Sequence, residues 1–165
     1  MSIVSTVTRR AAFAALALGL LVAGACSAAQ PAIPIGSLPV REIGIATAKG
    51  VVKFKTEVAS DPAEQQQGLM YRKSMAPDRG MIFIFPEPRP AGFWMHNTLI
   101  PLDLMFVDAS GRIESIAANA KPLDDSLIPS RGDVKAVIEI NGGLAQARGI
   151  KVGDKVRDPS LFPSN

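Results

Sequence analysis

Proline and glycine cut the apolar segments of this chain to strand length, and that limits its fold more than any other feature. Gly80–Phe85 (GMIFIF) is long enough for one fully buried strand, and Pro86-Glu87-Pro88-Arg89-Pro90 follows at once. Proline has no N–H to continue a ladder, so the strand is expected to stop there. Val51–Ala59 alternates instead: Val52, Phe54, Thr56 and Val58 fall on one side, Lys53, Lys55 and Glu57 on the other. That period of two is the mark of a half-buried strand. Ile43 and Ile45 suggest a strand before it, joined through Lys49–Gly50 as a hairpin. Gly92–His96 and Leu102–Val107 read as strands with Asn97–Pro101 as the turn between them. Asp108-Ala109-Ser110-Gly111 is a further turn, and Arg112–Ala117 returns from it. Asn119–Asp133 reads as a long polar loop, Val134–Ile140 as the last long strand, and Gly153–Asp154 as a turn before Lys155–Val156.

Two short helices interrupt this series. Asp61 can cap the first, Pro62 suits its first position, and Glu64 can reach back as the third helical residue. This helix is expected to end near Gly68 or Tyr71. Asn141 can cap a second helix over Leu144–Arg148, with Gly149 where a helix end favours a left-handed residue. No β-α-β rhythm is visible. The expected fold is therefore mainly β: a compact antiparallel β-sandwich or small barrel with two short helices.

The N-terminus reads differently. Arg9–Arg10 precede Ala11–Ala25, an uncharged apolar stretch of signal-peptide length with no polar face. A spanning helix needs about 20 apolar residues, so residues 1–29 are expected to be a cleavable export signal. Ala23-Gly24-Ala25-Cys26 resembles a lipobox, which would place a diacylglycerol on Cys26. Cleavage after Ala29 is the competing outcome, and Thr8-Arg9-Arg10 leaves twin-arginine export open beside the general route. Cys26 is the only cysteine, so a domain over residues 40–160 has no disulfide even in an oxidising compartment. Residues 30–39 (QPAIPIGSLP) read as a linker or extended arm. The expected location is the periplasm or cell envelope, with membrane contact only through the leader or a lipid on Cys26.

Charge argues against nucleic acid as a partner. The chain has 18 Lys and Arg against 15 Asp and Glu. Removing Arg9 and Arg10 with the leader, which carries no acid, leaves 16 against 15. The basic residues are dispersed rather than gathered in a stripe.

Three blocks in order along the chain resemble a known family. They are Gly68-Leu69-Met70-Tyr71-Arg72 with Gly80-Met81-Ile82-Phe83; Phe93-Trp94-Met95-His96-Asn97-Thr98 with Pro101-Leu102-Asp103 and Phe106; and Glu139, Gly142-Gly143, Gly149-Ile150 and Gly153-Asp154. Together they look like the domain of unknown function catalogued as family 192. The resemblance implies a mainly-β, sandwich-like fold and no particular activity. Many members have Lys at the position of His96, so it implies no mechanism that requires histidine there.

His96 is the only histidine. A catalytic zinc site needs about three protein ligands, which this chain cannot supply, and no metal or other cofactor is expected. No G-x-S-x-G, G-x-G-x-x-G or Walker pattern is present, so Gly142-Gly143 reads as backbone geometry. Strand alternation puts Trp94 and His96 on one face. If the turn folds the flanking strands together, Asp103 comes near His96 or Asn97, where it could form a proton-transfer pair or only accept backbone N–H groups. Arg72 needs a partner if buried, with Asp103 or Glu139 the expected one, or it binds an anion. Glu139 is either solvated or part of that arrangement. Asp124–Asp125 reads as a solvated loop, and the methionines at 70, 75, 81, 95 and 105 as core filling.

The leading expectation is a non-enzymatic envelope module that binds a small molecule or an envelope protein. The ligand-binding candidates are Arg72, Trp94, His96, Asn97, Asp103 and Glu139. The alternatives are a hydrolase-like enzyme using His96 and Asp103, and a structural or accessory lipoprotein without a pocket.

Overall fold

The computed structural model describes residues 32–163. The leader, the lipobox-like segment and Cys26 lie outside the described residues.

Nine strands and two short helices follow in the order β1 (Val40–Thr47), β2 (Gly50–Ala59), α1 (Pro62–Gln67), β3 (Arg79–Arg89), β4 (Gly92–Phe93), β5 (Leu102–Val107), β6 (Ile113–Ala120), β7 (Ile128–Pro129), β8 (Val134–Asn141), α2 (Leu144–Arg148) and β9 (Lys155–Arg157). Seven strands form one sheet in the order β6-β5-β8-β3-β2-β1-β9, while β4 and β7 pair separately. The large sheet curls into a half-barrel. The mainly-β class and the two helices are those expected from the sequence.

The hairpin β1–β2 forms at Ala48–Lys49, with Thr47 opposite Gly50. One pairing departs from the expected antiparallel arrangement: β3 runs parallel to β2. Helix α1 and the loop after it carry the chain back to the end where β2 began, which is a β-α-β crossover. The helix has only six residues, too few for a helical period to stand out in the sequence. Its start is the expected capping box. Glu64 N donates to Asp61 Oδ1 at 2.9 Å, and Asp61 N donates to Glu64 Oε2 at 3.0 Å.

The proline run does not end β3, as expected, but deforms it. The strand continues to Arg89, which pairs with Val134, across a register shift between Ile84 and Arg89. Prolines fit there because a bulged stretch leaves ladder positions open. The expected strand Gly92–His96 shrinks to Gly92–Phe93, whose partner is Ile128–Pro129 inside the segment read as loop.

Each face of the sheet carries its own core. Ile43, Ile45, Phe54, Ile82, Met105, Val107, Ile138 and Ile140 pack on the first face, together with Ala145 of α2 and Ile150. Met81, Phe83, Phe85, Leu104, Phe106 and Val137 pack on the second, beneath Leu69, Met95 and Ile100. Each such side chain, fully buried, contributes about 1.5–3 kcal/mol. Met81, Met95 and Met105 are buried, in keeping with core filling. The arm is docked where it is described: Ile33 N donates to Gln67 Oε1, and Gln67 Nε2 to Ile33 O, both at 2.6 Å.

Candidate functional site

The polar candidates do not gather into one cluster. Alternation along β5 decides where Asp103 goes. Leu102, Leu104 and Phe106 join the second core, and Met105 and Val107 the first, so Asp103 faces the first. There it is buried, and three backbone groups donate to it. Asn119 N and Gly143 N reach Oδ1 at 2.8 and 2.9 Å, and Ala145 N reaches Oδ2 at 2.8 Å. Asp103 thus ties the end of β6 to the start of α2. It takes the capping role expected of Asn141, whose amide instead donates to Met75 O at 2.9 Å. The glycine pair serves the same junction. A Cβ on Gly142 would lie 2.7 Å from Asn119 Oδ1 and 2.9 Å from Pro101 Cβ, and Gly143 has a left-handed φ of 77°.

The expected His96–Asp103 pair does not form. His96 belongs to the segment covering the second face, and its Nδ1 lies 2.8 Å from Asp125 Oδ1. Asp125 comes from the segment read as a solvated loop. The loop and the His96 segment are laced together by their backbones, with Met95 N donating to Asp124 O at 2.9 Å and Leu123 N to Thr98 O at 3.1 Å. Asn97 is turned away: its Nδ2 donates to Tyr71 Oη at 2.9 Å, and Tyr71 N donates to its carbonyl.

Arg72 pairs with neither expected carboxylate. Its two terminal nitrogens donate to the two oxygens of Glu57, both at 2.6 Å, with the side chains only 10% and 11% exposed. The fork geometry of guanidinium and carboxylate makes such a pair strong. Its Nε is buried and without a partner. Glu139 stands on the same face, two strands from Glu57 with β3 between them, because Met81 sits opposite both. Glu139 is not solvated; it is 4% exposed. Arg72 is held by Glu57, so burial dominates at Glu139 and pushes its carboxyl up to about 8, with the Arg72 charge drawing it partly back.

Trp94 is 49% exposed, with its ring stacked on His96 at 4.9 Å between centroids. A shared face for Trp94 and His96 was expected from strand alternation, though the strand ends at Phe93. The depression beside them is lined, of the expected ligand-binding residues, by Trp94 alone. It has a volume of about 370 Å³. Phe83 and Phe85 of β3 form its apolar walls with Phe93 and Trp94, while Gln65 and Gln66 of α1 and Arg89 add polar groups. Gln65 is anchored by donation to Ile84 O at 2.9 Å. Arg89 lies over the Phe85 ring, 4.3 Å from its centroid. A signal for Arg89 was available in the sequence, as the one cation inside the proline run Pro86–Pro90. Nothing in the sequence pointed to the two glutamines.

Among the described residues, no helix is long and apolar enough to cross a membrane.

A solved structure from Novosphingobium aromaticivorans DSM 12444, of unknown function, is 44% identical, covers 80% of this chain and 94% of its own, and superposes with a TM-score of 0.74. Another, from Sinorhizobium meliloti 1021 and described as a candidate transcription regulator, is 41% identical, covers 73% of this chain and 95% of its own, and gives 0.71. No curated protein matches the chain. The sequence belongs to the family DUF192, described as uncharacterized ACR, which it matches over residues 44–157.

Proposed function

We propose, from that family membership and the geometry above, that the chain is a non-enzymatic binding module of the cell envelope whose ligand seats in the depression beside Trp94. The observation that carries this reading is the half-exposed indole, stacked on His96 at the lip of an aromatic-walled hollow. Ligand pockets combine apolar walls with a few polar groups in this way, and an aromatic ring gains from being covered. The leader, with its apolar stretch behind Arg9–Arg10, supports export. The hydrolase alternative loses its basis, because both oxygens of Asp103 are engaged by backbone N–H groups on the other face. The regulator description of the Sinorhizobium protein finds no support in the charges of this chain. Here the basic residues are dispersed along the chain rather than gathered in a stripe that could follow phosphates.

Native mass spectrometry of protein taken from its own envelope tests both parts. The expected spectrum shows a chain starting at Cys26 with a lipid, or at Gln30, together with a retained small molecule that Trp94→Ala loses. A chain still starting at Met1 would refute export. A ligand that Trp94→Ala retains in full would refute the site.

A further inference from the structure

We infer that the depression is built for a small monocarboxylate on a flat apolar ring, a deeper reading that rests on the binding-module proposal. Of the side chains lining it, Arg89 alone carries a charge. Among the described residues that guanidinium has no carboxylate partner; what holds it is the face of Phe85, 4.3 Å away. A cation stacked on an aromatic ring keeps its N–H groups free at the ring's edge, and their planar fork matches a carboxylate. Most of the remaining lining is apolar and aromatic: Phe93 meets Phe83 edge-on at 4.9 Å, and Trp94 lines the same hollow with its indole half-exposed. A flat ring would cover the indole while its carboxylate reaches Arg89. The Gln65 amide is fixed by its bond to Ile84 O, so it offers a neutral contact and no second charge. The volume of about 370 Å³ is near the lower limit for ligand pockets, which sets the scale at one or two rings.

Trp94 is the only tryptophan, so its emission reports on this hollow alone. The leaderless chain is titrated with 3-phenylpropionate and with its neutral amide at neutral pH, with excitation at the red edge of the indole band. The carboxylate is expected to shift the emission saturably and to bind about tenfold tighter than the amide, the scale of one charge-assisted contact. In Arg89→Gln that preference disappears while affinity for the amide is retained; in Arg89→Lys part of the preference remains. Equal affinity for acid and amide in the unmodified chain, or a preference that survives in Arg89→Gln, overturns the assignment of charge and leaves the pocket itself standing. Failure of both ring compounds to bind overturns the assignment and the binding reading together.

Discussion

Replacing Glu139 with Gln should flatten the pH dependence of stability, and the size of the effect follows from where Glu139 stands. In the folded chain its carboxyl is pushed up to about 8 from an ordinary 4.5. Below pH 4.5 both folded and unfolded chains hold the proton, and this residue adds no pH dependence. Between 4.5 and about 8 the folded chain still holds the proton and the unfolded chain has released it. The folded state then binds more protons, so stability falls as pH rises, and it levels off above 8. The span from 4.5 to about 8, at about 1.4 kcal/mol per pH unit, gives a loss of roughly 5 kcal/mol. Glutamine keeps the shape without the ionisation. Glu139→Gln should match the parent in urea at pH 4 and exceed it at pH 9. At an m-value near 2 kcal/mol/M, the midpoints would separate by about 2 to 3 M. Trp94 emission and far-ultraviolet circular dichroism serve as independent probes. Parallel profiles for the two proteins between pH 4 and 9 would refute the reasoning. A constant offset at every pH would show that the substitution acts on packing and not on a proton.

Other substitutions separate the structural from the functional groups. Arg72→Leu leaves the Glu57 carboxylate buried without its cation and should cost about 3–5 kcal/mol in urea unfolding; the double variant with Glu57→Leu should recover most of that. Asp103→Asn removes charge from an acceptor of three backbone bonds and should cost about 3 kcal/mol while leaving ligand-induced changes in Trp94 emission intact. Gly80→Ala would set a Cβ 2.5 Å from the carbonyl oxygen of Glu139, so a loss of at least about 2 kcal/mol is expected from overpacking against backbone, read by thermal unfolding. Asp61→Ala breaks the capping box and should cost about 1 kcal/mol by the same measurement.

Local signals in the sequence were the readable ones. The alternation of Val52, Phe54 and Thr56 placed β2 correctly, and Asp61, Pro62 and Glu64 placed the start of α1, because the groups that interact lie within one turn or one pleat. What escaped was set by distant contacts. The parallel pairing of β2 with β3 depends on a crossover whose helix is too short to show a period. Glu139 was left open between solvent and the interior because alternation says which side a residue takes, not whether that side is covered. Here both faces of the sheet are covered. His96 and Asp125 are 29 residues apart, joined through a loop whose course follows from backbone bonds rather than pattern. Thus Trp94 and His96 were legible as a pair, while Arg89, Gln65 and Gln66 became part of the site only when β3 ran on through its prolines.

The position of β8 sets the order in which this sheet can be assembled. It is the latest long strand in the chain, yet it lies between β3 and β5, pairing with both. Until residue 141 has been synthesised, the group β1–β2–β3 and the hairpin β5–β6 each present an open edge with no strand to join them, and neither can complete its burial. A ribosome-bound chain therefore has no early folded stopping point. Such late closure keeps the two parts of the sheet apart until nearly all of the chain has been made. It also leaves two sticky edges for a chaperone to guard in the meantime.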